Sequence, residues 1–104
     1  MKYIKNMQEI YKKSVIEFEW DELENISNQD KHGVSFEEAI QIWEDDNLYV
    51  TPAYRRGEKR YIALGKLYVS IFTVVHTKRG ETIRIISARL ATKKEREEYE
   101  RRKR

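Results

Sequence analysis

The sequence predicts a single α+β domain, in which two N-terminal helices pack on a mainly antiparallel sheet and a C-terminal helix follows. Two segments with helix-capping residues precede a run of strand-like segments rich in β-branched and aromatic residues. These strand-like segments are joined by short turns, which are typical of antiparallel pairing. A chain of 104 residues supports one core, so we expect a shallow active site on an open face.

The first part of the chain divides into an extension and a strand. Residues 1–14 are predicted to be an N-terminal extension that is helical or frayed. The helical spacing there comes from Ile4, Met7, Ile10 and Tyr11. Apolar and acidic residues alternate over 15–20, which predicts a strand. We expect the folded domain to span 15–100 and a basic tail to occupy 101–104.

Capping residues mark two helices. Asp21 opens the first, with Glu24 as an acidic variant of the capping box, and Gly33 is expected to end it. Ser35 and Glu38 form a full capping box at the start of the second helix.

A meander of four strands follows, and the predicted strands are 48–51, 59–64, 67–77 and 82–88. Pro52 stops the first strand or marks an edge, and Gly65-Lys66 is predicted to be a tight turn. Gly80 supplies the positive φ of a hairpin turn. Thr92-Lys93-Lys94-Glu95 is a third capping box, which opens the C-terminal helix.

Charge is distributed unevenly along the chain, whose net charge is +3. Residues 1–50 contain 5 Lys/Arg and 12 Asp/Glu, whereas residues 51–104 contain 16 Lys/Arg and 6 Asp/Glu. The asymmetry indicates a basic surface that meets a polyanion such as nucleic acid, although ordinary solvated charge remains an alternative.

Several function classes find no support in the sequence. The chain has no cysteine, hence no disulfide and no thiolate nucleophile. His32 and His76 are the two histidines and have no acidic residues at ligand spacing, so we expect neither a metal nor another cofactor. Serine-hydrolase and phosphate-loop motifs are also absent. No apolar run is long enough for a membrane span or a signal peptide, which fits a cytoplasmic protein.

Arginine is the residue type that points to chemistry. Guanidinium groups hold phosphate bidentately and can stabilise the extra charge of a pentavalent transition state. Tyrosine and histidine could move protons, and RNA supplies its own 2′-hydroxyl nucleophile. Arg84 and Arg89 have opposite parity on the last strand, so both reach one site only if a bulge or a strand end intervenes.

Several strings in the sequence resemble the signature of the BrnT toxin family. They are FEWD at 18–21, KHGVSFEEA at 31–39, RYIALG at 60–65, TKRGETIRIISAR at 77–89, AT at 91–92 and EREEYE at 95–100. The resemblance covers about Glu17 to Glu100, and the strings occur in order at family-like spacing. Glu24 stands where family members often carry a basic residue.

The resemblance implies an α+β fold related to the RelE toxins and metal-independent cleavage of RNA. It also implies neutralisation by a BrnA-type antitoxin, whose ribbon–helix–helix part would bind operator DNA. We therefore expect an endoribonuclease toxin of a type II toxin–antitoxin system that contacts operator DNA only through its antitoxin and does not act at a membrane.

Site residues are assigned from residue type and from the match to the family strings. The residues expected to grip the scissile phosphate are Arg60, Arg79 and Arg84. Secondary phosphate contacts are assigned to Arg89 and Lys31, and proton transfer to His32 and Tyr99. Two other readings stay open, a nucleic-acid-binding module without catalysis and a purely structural partner of another protein.

Overall fold

The computed structural model describes residues 2–6 and 15–103, and confirms the α+β class. The strands are β1 (Lys2–Asn6), β2 (Val15–Glu19), β3 (Tyr49–Arg55), β4 (Glu58–Leu67), β5 (Ser70–Arg79) and β6 (Thr82–Leu90). The helices are α1 (Glu22–His32), α2 (Phe36–Ala39), a 3₁₀ helix (Ile40–Glu44) and α3 (Lys93–Arg102). The strands form one sheet in the order β1-β2-β6-β5-β4-β3, with β2 and β6 parallel and the other neighbours antiparallel. Within the described residues, no helix is long and apolar enough to cross a membrane.

The N-terminal extension differs from the prediction where it is described. The sequence predicts helix or fraying over 1–14, whereas Lys2–Asn6 form β1, which is antiparallel to β2. The outer edge of β2 offers backbone N–H and C=O groups, and pairing with them outweighs a weak helical spacing. Residues 7–14 of the same prediction lie outside the described residues.

Helix α1 begins and ends where its caps predict. The carboxylate of Asp21 accepts hydrogen bonds from the backbone N–H groups of Leu23 and Glu24, at 2.8 and 3.4 Å. Gly33 closes the helix in the left-handed conformation at φ 73°, which glycine adopts without a Cβ penalty.

An asparagine, Asn28, rather than an apolar residue joins α1 to the edge of the sheet. Strand β2 ends at Glu19, opposite Arg84, and Asn28 of α1 continues the pairing further along β6. The Asn28 amide donates to the carbonyl of Ala88 at 2.9 Å and accepts from its N–H at 3.1 Å. It also donates to the carbonyl of Val34 at 3.0 Å, which ties the α1–α2 connection to the same point.

The main core lies between the sheet and the segment from α2 through the 3₁₀ helix. The predicted capping box of Ser35 and Glu38 is present, but α2 tightens into the 3₁₀ helix after one turn. This segment buries four apolar side chains, Phe36, Ala39, Ile40 and Ile42. They pack on sheet residues that include Phe18, Val74 and Ile85.

Gly65 is a close-packing position rather than a turn. The predicted turn at Gly65-Lys66 is wrong, because β4 continues to Leu67 and the turn falls on Tyr68 and Val69. A Cβ at Gly65 would lie 2.6 Å from the Cβ of Ile42. The glycine therefore lets the 3₁₀ helix approach the strand backbone.

A second apolar cluster lies on the opposite face of the sheet, which we call the α3 face. Helix α3 starts at the predicted Thr92–Glu95 capping box and buries Tyr99 against Leu64 and Ile71. Strand β3 continues through Pro52 to Arg55, which is tolerated because β3 is an edge strand. The prediction that Pro52 marks an edge is confirmed, and the predicted end at Thr51 is wrong.

A bulge in β6 changes which side chains share a face. His76 of β5 is opposite Ile85, but the preceding residue, Val75, is opposite Ser87, so Ile86 is the extra residue. Side chains that alternate up to Ile85 change parity beyond it. The bulge therefore lets Arg84 and Arg89 both point to the α3 face, although their sequence positions have opposite parity.

Candidate active site

One cross-strand row brings together residues from four strands on the α3 face. Thr77 of β5 is opposite Arg84 of β6, and Arg84 is opposite Glu19 of β2. Arg60 of β4 lies one position beyond the Tyr61–His76 pair, which places it beside Thr77. Arg79 follows two residues after Thr77 and points to the same face. Three of the predicted phosphate-binding arginines thus converge.

Except for Glu19, these residues line an open pocket with a volume of about 380 Å³. Its lining residues are Glu24, Glu58, Lys59, Arg60, Thr77, Lys78, Arg79, Arg84 and Ile86. Five of the nine are cationic and two are acidic, so the lining carries a positive charge that favours an anionic ligand.

Carboxylates hold the three arginines in place. Arg60 donates from Nε and Nη2 to the same Oε1 of Glu58, at 3.0 and 2.9 Å. The Oε2 atom of Glu19 lies 3.3 Å from Nη1 of Arg84 and 3.6 Å from Nη1 of Arg79. Since the side chain of Glu19 is only 14% exposed, this acid joins two pocket arginines from a sheltered position.

An aromatic stack lies on the core face of the sheet, behind the pocket. The Tyr61 ring stacks on His76 with centroids 5.5 Å apart, and Trp43 meets His76 edge-on at 5.1 Å. The ammonium groups of Lys59 and Lys78 lie 5.4 and 5.7 Å from the centroid of Tyr61, within the range of cation–π attraction.

His76 is a core residue. The expectation from its position near a strand end is a surface histidine, but the residue is 1% exposed. Its Nδ1 atom has no hydrogen-bond partner among the described residues. Burial lowers the pKa of His76 to about 4, so the ring is neutral near pH 7.

Arg89, a predicted secondary phosphate contact, is engaged by α3. Its two terminal nitrogens donate to the two carboxylate oxygens of Glu95, at 2.8 and 3.0 Å. Glu95 also accepts from the Thr73 hydroxyl at 2.8 Å. The hydrogen bonds from Arg89 lower the pKa of Glu95 to about 2, against the effect of burial. Arg89 shares the α3 face with Arg84 but does not line the pocket.

Tyr99, a predicted proton carrier, lies in the second apolar cluster instead. It is 2% exposed, and its hydroxyl donates to Oδ2 of Asp45 at 2.6 Å. Burial and this hydrogen bond raise the pKa of Tyr99. Asp45 also accepts the backbone N–H of Lys66 at 2.7 Å, so the hydroxyl belongs to a junction between α3, β4 and the end of the 3₁₀ helix.

Lys31 and His32 lie in the last turn of α1, where both are exposed. Neither lines the pocket. Cations at this position interact favourably with the helix dipole, which would give His32 a structural role instead of a role in proton transfer. The structure therefore brings together Arg60, Arg79 and Arg84, and leaves the other four predicted residues outside their pocket.

A family comparison bears on what this pocket does. Residues 20–95 match the family model for BrnT, described as the ribonuclease toxin of a type II toxin–antitoxin system. The chain belongs to the BrnT family. A search of curated proteins returned no match.

The matched part of this BrnT chain contains all of the predicted site residues except Tyr99, which follows it. It also contains every residue that lines the pocket. A BrnT ribonuclease acts on RNA, whose phosphates are anions that suit the positive lining of the pocket.

Sequence reasoning missed several residues of the BrnT pocket. Thr77 and Glu58 share the strand parity of the predicted arginines, so a correct strand register would have found them. Glu19, which contacts two lining arginines without lining the pocket itself, has no such local signal, because parallel pairing across the sheet brings it to Arg84. Across the described residues, no group of three or more His, Asp or Glu side chains could hold a metal ion.

Proposed function

We propose that this BrnT-family toxin cleaves single-stranded RNA in the cytoplasm by attack of the substrate's own 2′-hydroxyl, without a metal ion. The observation that carries the proposal is the convergence of Arg60, Arg79 and Arg84 on one pocket of the α3 face. The products would be a 2′,3′-cyclic phosphate and a 5′-hydroxyl.

The pocket suits the charge changes of this reaction. Attack on the phosphodiester adds negative charge to the phosphorus oxygens in the transition state, and fixed cations next to those oxygens stabilise it. Guanidinium groups stay charged at any working pH and offer planar pairs of N–H donors. Three of them supply the charge that a metal ion supplies in other nucleases.

The remaining site assignments are secondary in this proposal. Arg89 and Lys31 are proposed as outer contacts for neighbouring phosphates of a bound strand. The proton-transfer roles of His32 and Tyr99 stay predictions, and the proposed cleavage depends on neither because neither lines the pocket.

Membership of a type II toxin family implies an antitoxin partner and an RNA target. We propose that the antitoxin is of the BrnA type and binds operator DNA through a ribbon–helix–helix part. A relationship to the RelE toxins is the fold expectation that accompanies this assignment.

A cleavage assay on purified RNA tests the reaction, with EDTA present and without ribosomes. The expected result is fragments with 2′,3′-cyclic phosphate ends. Intact RNA from a folded sample would refute free, metal-independent cleavage. If that RNA were nevertheless shifted in a gel, the chain would act as a binding module under these conditions.

Single alanine substitutions at Arg60, Arg79 and Arg84 test the site. Each is expected to lower kcat/KM by about 100-fold or more, as removal of one transition-state donor does. Arg101→Ala, which removes an exposed α3 arginine, is the matched control and should cleave at the parent rate. Parent-like rates in all three folded pocket variants would disprove the assignment.

A further inference from the structure

We propose that Glu19 accepts the proton of the 2′-hydroxyl during cleavage. This role rests on the proposed function and adds a residue that the sequence strings did not single out for chemistry. Glu19 closes β2, and its carboxylate lies 3.3 and 3.6 Å from the Arg84 and Arg79 guanidinium groups.

The first argument is distance. In a ribonucleotide, the 2′-oxygen attacks the phosphorus of its own 3′-phosphate. The proton acceptor must therefore lie within hydrogen-bond distance of the 2′-hydroxyl, which is next to that phosphate. Arg79 and Arg84 line the pocket, and Glu19 touches both. A phosphate held by these two arginines therefore presents its 2′-hydroxyl next to Glu19.

The second argument is the number of donors. Each guanidinium has five N–H donors in a fixed fork, and the recorded contacts with Glu19 use Nη1 of Arg84 and Nη1 of Arg79. The carboxylate can therefore stay in place while the same arginines turn other N–H groups towards a phosphate. The two arginines can therefore contact Glu19 and the substrate phosphate at the same time.

The third argument is the position of the alternative groups. His76 is enclosed between Trp43 and Tyr61, and the Tyr99 hydroxyl donates a hydrogen bond to Asp45. His32 lies in the last turn of α1, whereas Glu19, which does not itself line the pocket, is in contact with two arginines that do. Glu58 accepts two hydrogen bonds from Arg60 alone, whereas Glu19 contacts two arginines at once.

The proposed cleavage requires no reactant other than the RNA and water. The 2′-O–H bond breaks and its proton moves to an Oε atom of Glu19, while the 2′-oxygen bonds to phosphorus. The bond from phosphorus to the 5′-oxygen breaks, and that oxygen takes a proton from solvent. Glu19 then returns its proton to water.

Several charged groups lie around Glu19. Arg79 approaches from β5 and Arg84 from β6, at 3.6 and 3.3 Å. On the other side of β2, the backbone of Glu19 pairs in register with Lys2 of β1. Glu17 lies on the same face of β2 and accepts a hydrogen bond from Thr82 at 2.6 Å.

Glu19→Gln tests the role, with Glu17→Gln as a control on the same strand and face. We expect Glu19→Gln to lower single-turnover cleavage at least 100-fold, within the usual range for a proton-transfer group. We expect the parent to cleave more slowly at low pH, where a carboxylate base is protonated, and this fall in rate should disappear in Glu19→Gln. Binding of a 2′-O-methyl RNA, which cannot react, should stay within a few-fold of the parent, and Glu17→Gln should resemble the parent throughout.

A second variant separates proton transfer from a loss of folding. Glu19→Asp keeps a carboxylate but withdraws it by one methylene, so we expect partial activity with the low-pH fall retained. If the parent protein cleaves RNA, two results would overturn this role of Glu19. One is parent-like cleavage by Glu19→Gln, and the other is a loss of cleavage that weaker RNA binding explains wholly. A parent protein that leaves RNA intact would instead refute the proposed function, and this role with it.

Discussion

The amide of Asn28 joins α1 to the sheet, and replacing it with a carboxylate should weaken the whole fold. Asn28→Asp keeps the side-chain shape and the bond accepted from Ala88 N–H. It replaces the two donated bonds, at 2.9 and 3.0 Å, with contacts between a carboxylate oxygen and the carbonyls of Ala88 and Val34. Because Asn28 is 6% exposed, water cannot easily restore them.

The cost follows from the number of groups left without a donor. A buried acceptor without a partner costs about 1–3 kcal/mol, so two carbonyls predict a loss of about 2–6 kcal/mol in the free energy of unfolding. Total stability for such a domain is about 5–15 kcal/mol. The melting temperature should fall by at least about 10 °C.

Urea unfolding followed by circular dichroism measures the loss, with Gln29→Glu as the control. That control makes the same amide-to-acid change at an exposed position of α1. The difference in the free energy of unfolding between Asn28→Asp and the parent should shrink as the pH falls from 7 to 4. The buried carboxyl that the substitution introduces then gains a proton and can donate a hydrogen bond again. A loss no larger than that of Gln29→Glu would refute this account of the sheet edge.

Two further predictions concern pH and α3. The free energy of unfolding should fall by about 2 kcal/mol between pH 7 and pH 5, because His76 has a pKa of about 4 in the fold and takes up its proton near pH 6.5 when unfolded. Urea titrations at both pH values check this, and His76→Phe should abolish the dependence. Glu95→Gln should cost about 1–2 kcal/mol at pH 7, and this advantage of the parent should vanish as the pH falls from 4.5 towards 2, because Glu95 of the parent then takes up a proton. Exposed Glu97→Gln is its thermal-melting control, and equal melting temperatures would contradict the prediction.

Local signals predicted the helix starts and the hairpin well. Asp21, Ser35 and Thr92 each cap a helix through their own side chains, so the information lies within four residues of sequence. Gly65 shows the limit of such signals. A glycine suits both a turn and a close approach, and only the position of Ile42 in the fold decides between them.

Features that depend on distant pairing could not be predicted in the same way. Strand β1 exists because β2 offers it an edge, and no pattern within Lys2–Asn6 reveals that partner. His76 is buried because Trp43 and Tyr61 enclose it, and Trp43 is more than thirty residues away in the chain.

The candidate site was predicted only in part, again because part of it depends on pairing between distant strands. Residue type and the match to the family strings together singled out Arg60, Arg79 and Arg84, because phosphate chemistry favours guanidinium groups. Residue type could not separate them from Arg89, whose guanidinium lies against Glu95. Separating the two kinds of arginine requires the register of β5 on β6 and the position of α3.

The bulge at Ile86 divides β6 into two parts that can vary independently. Before it, Arg84 faces the pocket while Ile85 faces the core; after it, Ala88 faces the core and Arg89 faces α3. If β6 continued past Ile85 without the bulge, Arg89 would turn towards the apolar side and Ala88 away from it. Deletion of Ile86 would instead place Ser87 directly after Ile85 and still opposite Val75, so regular alternation would keep Ala88 on the core side and Arg89 on the α3 face. The bulge therefore takes up one residue of strand length without exchanging side chains between the two faces of the sheet.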